Sequence, residues 1–469
     1  MTEVTPVRLK EKIAYGFGDM ASSMFWKLFG TYLLFFYTDV FGITAAAAGT
    51  MFLVSRIWDT IFDPVVGGFC DRTSSRWGKF RPYLLYMAIP FGVIGVLTFT
   101  TPAFSGTGKL VYAYVTYSVM MMIYSLINVP YASLLGVISA DPRERNALAS
   151  FRMAFAFGGS LIALALIEPL VGVFSRMGGT VDVVRGWQLG VAVIAVLCVL
   201  LFLGCFSGVK ERVKPLSNDT SRLREDIRDL WKNRPWWILL GSGVAALIFN
   251  SIRDGATLYF FKYDIGDKIC FAFFNATVTY STLYLVLGQA ANILGVILAS
   301  PIANRIGKKA TYLYAMVIAS VLSIGFYWLG SGQLVLIFLF QFVISTAAGI
   351  IFPLLWSMYA DIADYSEWKT GRRATGLVFS SSSMSQKLGW TIGGALTGWL
   401  LAVYGFKANL VQSAHAREGI RMMLSFLPAL GSLVSVILIA VYPLSEERIS
   451  EITAALRQRR KETQEAIVP

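Results

Sequence analysis

The sequence predicts an all-α membrane protein with about twelve transmembrane helices in two six-helix bundles. Three observations carry that expectation. Of 469 residues, 56% are hydrophobic and only 15% charged, more apolar surface than a soluble interior hides. Apolar runs such as 83–97, 190–206 and 334–353 meet or approach the ~20 residues that cross a hydrocarbon core of ~30 Å. A polar stretch at 210–235, containing Pro215, Asn218 and Ser221, splits the spans into halves of about six.

In the first half the spans read as 13–39, 44–69, 82–101, 110–138, 148–174 and 186–206. The second half reads as 236–261, 277–302, 310–329, 333–360, 375–404 and 419–444. The first span carries Asp19, Ser22 and Ser23 and lacks a small-residue cleavage site, so it is expected to remain as a helix. The expected organisation is a bundle at 1–209, a middle linker with one short amphipathic helix at 210–235, a second bundle at 236–444 and a tail at 445–469. The tail is charged, with Ile449, Ile452 and Leu456 at helical spacing, and reads as a solvated helix. The halves echo each other. Gly67-Gly68-Phe69-Cys70-Asp71-Arg72 leads to Arg76-Trp77-Gly78-Lys79, and Asn304-Arg305-Ile306-Gly307-Lys308-Lys309 fills the matching turn after the eighth span. Two parallel repeats fit that echo.

The net charge of +13 is spread over short loops on one side rather than gathered in a stripe, which argues against nucleic acid. Placing both termini in the cytoplasm puts most Lys and Arg inside, as the positive-inside rule expects, and requires an even number of spans. Cys70, Cys198, Cys205 and Cys270 have no metal-ligand spacing and read as small hydrophobes. The single histidine, His415, falls in an outer loop, so proton chemistry within the membrane falls to carboxylates. No cofactor is expected, and no metal beyond a sodium ion.

Ionisable side chains within spans are costly, about 2.5–3.5 kcal/mol each at the centre, and so mark function. In the second span Arg56, Asp59 and Asp63 fall together, with the two carboxylates one turn apart on one face. Such a pair repels itself and takes up a proton or a monovalent cation. The bland alternative is that Asp59 pairs with Arg56 or Arg152 as packing glue. Pro64 and Pro130 free the carbonyls of Thr60 and Leu126, and with Ser125 these are further oxygens near the pair. In the first span Asp19, Ser23 and Lys27 lie at i, i+4 and i+8 beside Trp26. Tyr124, Ser125 and Asn128 precede Pro130 in the fourth span, and Ser380, Ser383, Gln386, Lys387 and Thr391 stripe the eleventh. Hydroxyls, amides and aromatic rings together suit a sugar, with its many donors and acceptors and its apolar C–H faces.

Several of these pieces, in order, resemble the glycoside–pentoside–hexuronide:cation symporter family of the major facilitator superfamily. They include Tyr15-Gly16-Phe17-Gly18-Asp19, Arg56-Ile57-Trp58-Asp59 with Asp63-Pro64, Arg76-Trp77-Gly78-Lys79, Asn128-Val129-Pro130-Tyr131, Arg253-Asp254-Gly255 and Ala360-Asp361-Ile362-Ala363-Asp364-Tyr365. The similarity runs over nearly the whole chain. It implies a major facilitator fold and a bacterial inner-membrane symporter working by alternating access, with Asp59 and Asp63 binding the coupling ion, proton or sodium. It further implies that Lys387 lies close to that site, that Tyr124, Arg152 and Ser383 line the cavity, and that Arg145, Arg305, Asp361, Asp364 and Arg373 seal the cytoplasmic side. Galactoside carriers of the family hold two acidic residues on the first and fourth helices, where this chain has Ser23 and Asn128, and a tryptophan where it has Ala132. An asparagine of their sodium site is here Phe62, which removes one oxygen. The expected cargo is a small sugar or glycoside, with a pentoside or hexuronide among the options, and the carrier is expected to work as a monomer in the lipid bilayer.

Three other readings compete. A membrane enzyme would need a catalytic motif or a large extramembrane domain, and neither is visible. A lipid-like or other organic solute would use the same fold with a wide lateral opening. A passive sugar facilitator would not need both Asp59 and Asp63.

Overall fold

The structure is a computed structural model and describes residues 7–73, 75–139, 141–177, 180–212, 228, 230–273, 276–370 and 375–465. The first helix, α1 (Leu9–Leu28), continues through two π-helical segments, Phe29–Leu33 and Phe36–Phe41. It stops at Gly42, whose φ of 88° lets its N–H return to the Tyr37 carbonyl at 3.0 Å. Thr44 then caps α2 (Ala45–Arg72) by accepting from the Ala47 N–H. The first half is completed by α3 (Arg81–Thr98), α4 (Gly106–Ile138), α5 (Pro142–Ser175) and α6 (Val183–Gly208), the last capped by Asp182.

The second half begins with α7 (Arg234–Tyr259), which runs on into a third π-helical segment, Phe260–Ile265. A two-stranded antiparallel hairpin follows, β1 (Ile269–Phe273) and β2 (Ala276–Thr279), pairing Ile269 with Thr279. Next come α8 (Tyr280–Ile306), α9 (Lys308–Phe326), α10 (Leu334–Thr370) and α11 (Thr375–Val403). The last span is broken into α12 (Ala414–Met422) and α13 (Phe426–Ala440), and α14 (Glu446–Glu465) forms the tail.

Among the described residues nine helical stretches are long and apolar enough to cross a membrane. The helix at 9–41, α2 and α11 have the length as well, but their polar residues dilute the hydropathy. Together they make the expected twelve.

Contacts group the chain into two units. The first holds 1–217, 257–289 and 394–419, and the second holds 218–256, 290–393 and 420–469, so α7, α8, α11 and α12 contribute to both. The first unit's core is aromatic. Phe25 meets Phe91 edge-on at 5.0 Å, Phe99 stacks on Trp187 at 5.9 Å, and Tyr15 stacks on Tyr131 at 4.9 Å. The second unit is built on Trp236, Phe249, Tyr312, Met316, Leu354 and Tyr359, and Ile452 and Leu456 of α14 belong to the same core. The tail is therefore docked, not solvated: its apolar stripe packs down while Arg459 donates to the Trp368 carbonyl. Most of the middle linker lies outside the described residues. Its start is clasped, with Arg212 paired to Glu11 at 2.7 Å and the Glu211 carboxylate accepting from the N–H groups of Lys79, Phe80 and Arg81.

The break in the last span has a visible partner. Buried Arg253 donates to the Leu424 carbonyl and also reaches Ser323 Oγ and Gln341 Oε1, both at 3.1 Å, so the carbonyl freed by the break is satisfied.

Candidate functional site

α2 and α4 build the candidate cation site within the first unit. Ser125 Oγ lies 2.7 Å from Asp59 Oδ1 and 2.6 Å from Asp63 Oδ1. Asp59 and Ser125 are each 1% exposed, so water does not dilute the arrangement. A hydroxyl carries one hydrogen and donates to one carboxylate at a time. Both short contacts are satisfied together when one carboxylate holds a proton that it donates to Ser125, or when a cation lies among the oxygens. Two bare carboxylates would leave one oxygen facing a lone pair.

The candidate sugar residues of the first unit fall beside this site. Trp26 has the Arg56 guanidinium 4.2 Å over its ring and the tilted ring of Tyr124 at 5.6 Å between centroids. Arg56 Nε also donates to Tyr117 OH at 3.2 Å. Arg152 goes to Asp19, its Nε donating to Oδ2 at 2.8 Å while the guanidinium stands 5.3 Å over Tyr131. That pairing takes Arg152 out of the packing-glue alternative for Asp59. Asn128 accepts from Ser22 Oγ at 2.7 Å and donates to the Tyr124 carbonyl at 3.0 Å. Ser23, Trp26 and Lys27 are partly exposed while Ser22, Met24 and Phe25 are buried, so those three share an open face of α1.

On α11, Gln386 and Lys387 are half-buried and belong to the second unit, while the Ser383 side chain lies outside the described residues. Of the charges expected to seal the cytoplasmic side, Arg373 also lies outside the described residues. Arg145 Nε donates to the Ser139 carbonyl at 2.7 Å in the first unit. In the second unit Asp361 binds Lys308 Nζ through both oxygens, at 2.8 and 2.7 Å, while Arg305 is exposed at the end of α8 and Asp364 is half-buried.

Sequence reasoning passed over several of these partners. Ser22 was noted only as polar, and Lys308 only as part of the internal echo. Glu168, in the fifth span, accepts from Thr279 Oγ1 at 2.8 Å, Ser281 Oγ at 3.3 Å and Thr282 Oγ1. It was detectable as an ionisable residue within a span. Asp39, at the end of the first span, gathers Lys262 and Tyr263, and no local pattern announces such a pairing.

Comparison with known proteins agrees with this architecture. Residues 14–446 match the family described as MFS/sugar transport protein. The inner membrane symporter YicJ of Escherichia coli K12 is 36% identical over 97% of this chain and 96% of its own length. The isoprimeverose transporter of Lactiplantibacillus pentosus is 38% identical over 92% of this chain and 88% of its own. The glucuronide carrier protein homolog of E. coli K12 is 30% identical, covering 97% of each. Among solved structures, a bacterial homologue of the lysosomal transporter Spinster superposes with a TM-score of 0.68 at 12% identity, over 95% of this chain and 97% of that one. The nucleoside transporter NupG superposes at 0.60 with 12% identity, over 93% and 100%. With twelve spans, a carboxylate pair on the second of them and this match over most of its length, the chain belongs to the MFS/sugar transport family, and is a multi-pass membrane transporter rather than an enzyme.

Proposed function

We propose that this chain is an inner-membrane symporter that draws a glycoside into the cell with a proton, both termini lying in the cytoplasm. The observation that carries the reading is the Ser125 hydroxyl set 2.7 and 2.6 Å from two carboxylates one turn apart. A proton shared by Asp59 and Asp63 through Ser125 satisfies both short contacts without a further ligand. Sodium is the second reading, because the same three oxygens begin a coordination shell, but Phe62 adds none and sodium needs several.

The sugar is read by the open face of Ser23, Trp26 and Lys27, by Tyr124 and Asn128, and by the Asp19–Arg152 pair. Ser383, Gln386 and Lys387 contribute from α11, and Lys387 approaches the carboxylates during the cycle. Relatives named for isoprimeverose and for glucuronides support a small glycoside as cargo, with a pentoside or hexuronide among the options. Two bundles, 1–209 and 236–444, rock about this centre on the linker at 210–235. Arg145, Arg305, Asp361, Asp364 and Arg373 close the cytoplasmic side in one of the states.

The test is uptake into energised vesicles across a panel of glycosides, pentosides and uronides, with proton and sodium gradients imposed separately. Sugar-driven alkalinisation without sodium is the expected result, and strict sodium dependence at fixed pH overturns the choice of ion. Asp59→Asn and Asp63→Asn each abolish accumulation while sugar binding persists. Unchanged accumulation in both variants would defeat the site assignment.

A further inference from the structure

The first unit contains a second polar centre, far along α1 from the cation site. Asp39, in the π-helical segment Phe36–Phe41, accepts from Lys262 Nζ at 2.6 Å, from Thr38 Oγ1 at 2.7 Å and from Tyr263 OH. Lys262 and Tyr263 stand in the other long π-helical segment, Phe260–Ile265, at the end of α7. The turn after α11 supplies the third partner. Asn409 Nδ2 donates to the Asp39 carbonyl at 2.7 Å, its Oδ1 accepts from Lys262 at 2.8 Å, and its own N–H donates to Tyr263 OH at 2.8 Å. Thr38 and Tyr259 close the ring with hydroxyls 2.8 Å apart. Three chain segments from both halves of the sequence thus meet at one residue, Asp39.

We propose that this cluster is the outer latch of the transport cycle, the contact that must part before the sugar path opens on the face away from the termini. Its place follows from topology: α1, α7 and α11 all end there, and the N terminus begins at the opposite end of α1.

Two features distinguish a latch from a permanent brace. A π turn inserts one residue and rotates everything beyond it by about 100°, an irregularity retained mostly where function needs it. Here it re-aims Asp39 on one side and Lys262 with Tyr263 on the other. Asn409 is the one non-glycine residue with positive φ, 58°, among the described residues, and its three hydrogen bonds hold it there. The chemistry is also separable. The Asp39 side chain is 1% exposed and Lys262 37%, so the carboxylate is covered by partners that already reach water. When they part, both charges are rehydrated and neither is stranded in the protein.

Beside the latch two more contacts join the same ends. Trp399 Nε1 donates to Thr50 Oγ1 at 3.1 Å where Gly49 and Gly398 bring α2 and α11 together, and a Cβ on Gly398 would lie 2.5 Å from the Ala45 carbonyl oxygen. The Glu168 cluster ties α5 to the start of α8. Neither carries an exposed ion pair that opening can resolvate, so the cluster at Asp39 is the one of the three contacts suited to part and re-form.

The test uses the full chain with Cys70, Cys198, Cys205 and Cys270 replaced by Ser and one reporter, Ser23→Cys, on the open face of α1. Right-side-out vesicles are exposed to a membrane-impermeant maleimide, and labelling of the reporter is timed. Asp39→Asn and Lys262→Met are each expected to raise the external labelling rate about tenfold, the loss of one charge-assisted hydrogen bond. Labelling in inverted vesicles should fall in parallel, which unfolding would not produce. The exchanged pair Asp39→Lys/Lys262→Asp should return both rates toward the parent. Asn409→Ala, at an exposed turn, gives the same rise in smaller measure should the charged variants fail to insert. Parental rates in Asp39→Asn, Lys262→Met and Asn409→Ala would overturn the latch. The reagent needs neither sugar nor coupling ion, so a wrong assignment of either leaves this result untouched.

Discussion

Replacing Ser125 with Ala removes one oxygen atom from the proposed cation site, and the consequence follows from that atom's two contacts. Ser125 Oγ stands 2.7 Å from Asp59 and 2.6 Å from Asp63, with Asp59 and Ser125 each 1% exposed. With a proton on one carboxylate, the hydroxyl accepts from the acid and donates to the anion. Without that proton it makes only one of those bonds. The protonated state therefore loses one more hydrogen bond than the bare state, worth about 1.5 kcal/mol beside a charge, or about tenfold in apparent ion affinity. If protons drive the carrier, the proton gradient needed for half-maximal accumulation rises about tenfold. If sodium does, half-saturating sodium rises about tenfold at an unchanged pH profile. Initial uptake of the best sugar from the panel, measured over a grid of pH and sodium, reads both axes at once. Ser125→Thr keeps the hydroxyl and should stay near the parent. An alanine variant that matches the parent on both axes would refute the shared-ion geometry.

Removing Arg152 strands a mostly covered Asp19 carboxylate, so Arg152→Ala should cost about 1–3 kcal/mol, and adding Asp19→Asn should recover part of it; thermal unfolding in detergent checks the cycle. Gly78→Ala is strained on two counts. Its φ is 109° and the new Cβ would meet the Glu211 carboxyl at 2.5 Å, so melting should drop by the equivalent of about 1–3 kcal/mol, and relief by Glu211→Ala would confirm the cause. Deleting 446–465 exposes the sites under Ile452 and Leu456, 3% and 5% exposed, and should cost at most about 3–6 kcal/mol, whereas a tail free in solution would be removed without effect on melting.

What the sequence disclosed and what it withheld divide along physical lines. The spans were legible because bilayer thickness imposes a length, and Asp59 with Asp63 because carboxylates in that solvent need a reason. Glu168 obeyed the same rule and was simply passed over. The π-helical ends of α1 and α7 leave no trace in composition, since the register shift is decided by partners distant in sequence such as Asn409. The broken last span looked continuous because the polar group that satisfies its freed carbonyl, Arg253, sits in the seventh span. The tail's apolar stripe was seen, but periodicity alone does not tell a docked helix from a free one.

The internal echo acquires a mechanism in the structure. In the first unit, Gly78 at positive φ lets the Glu211 carboxylate, from just beyond α6, reach the N–H groups that open α3, at 2.8–2.9 Å. In the second unit, Gly307 at φ 87° lets the Glu446 carboxylate, from just beyond α13, reach the Lys308 N–H that opens α9, at 2.6 Å. Each half thus ends by sending a carboxylate back to the positive end of its own third helix, through a glycine that a side chain would block. The repeated glycine and lysine therefore have a reason apart from the cargo: each lets the end of its half fold back onto the start of that half's third helix. Lys308 serves twice, since its side chain holds Asp361 while its N–H receives Glu446. A carboxylate expected to seal the cytoplasmic side is therefore anchored to the clasp between Glu446 and Lys308, and any motion that frees Asp361 must involve the first residue of α9.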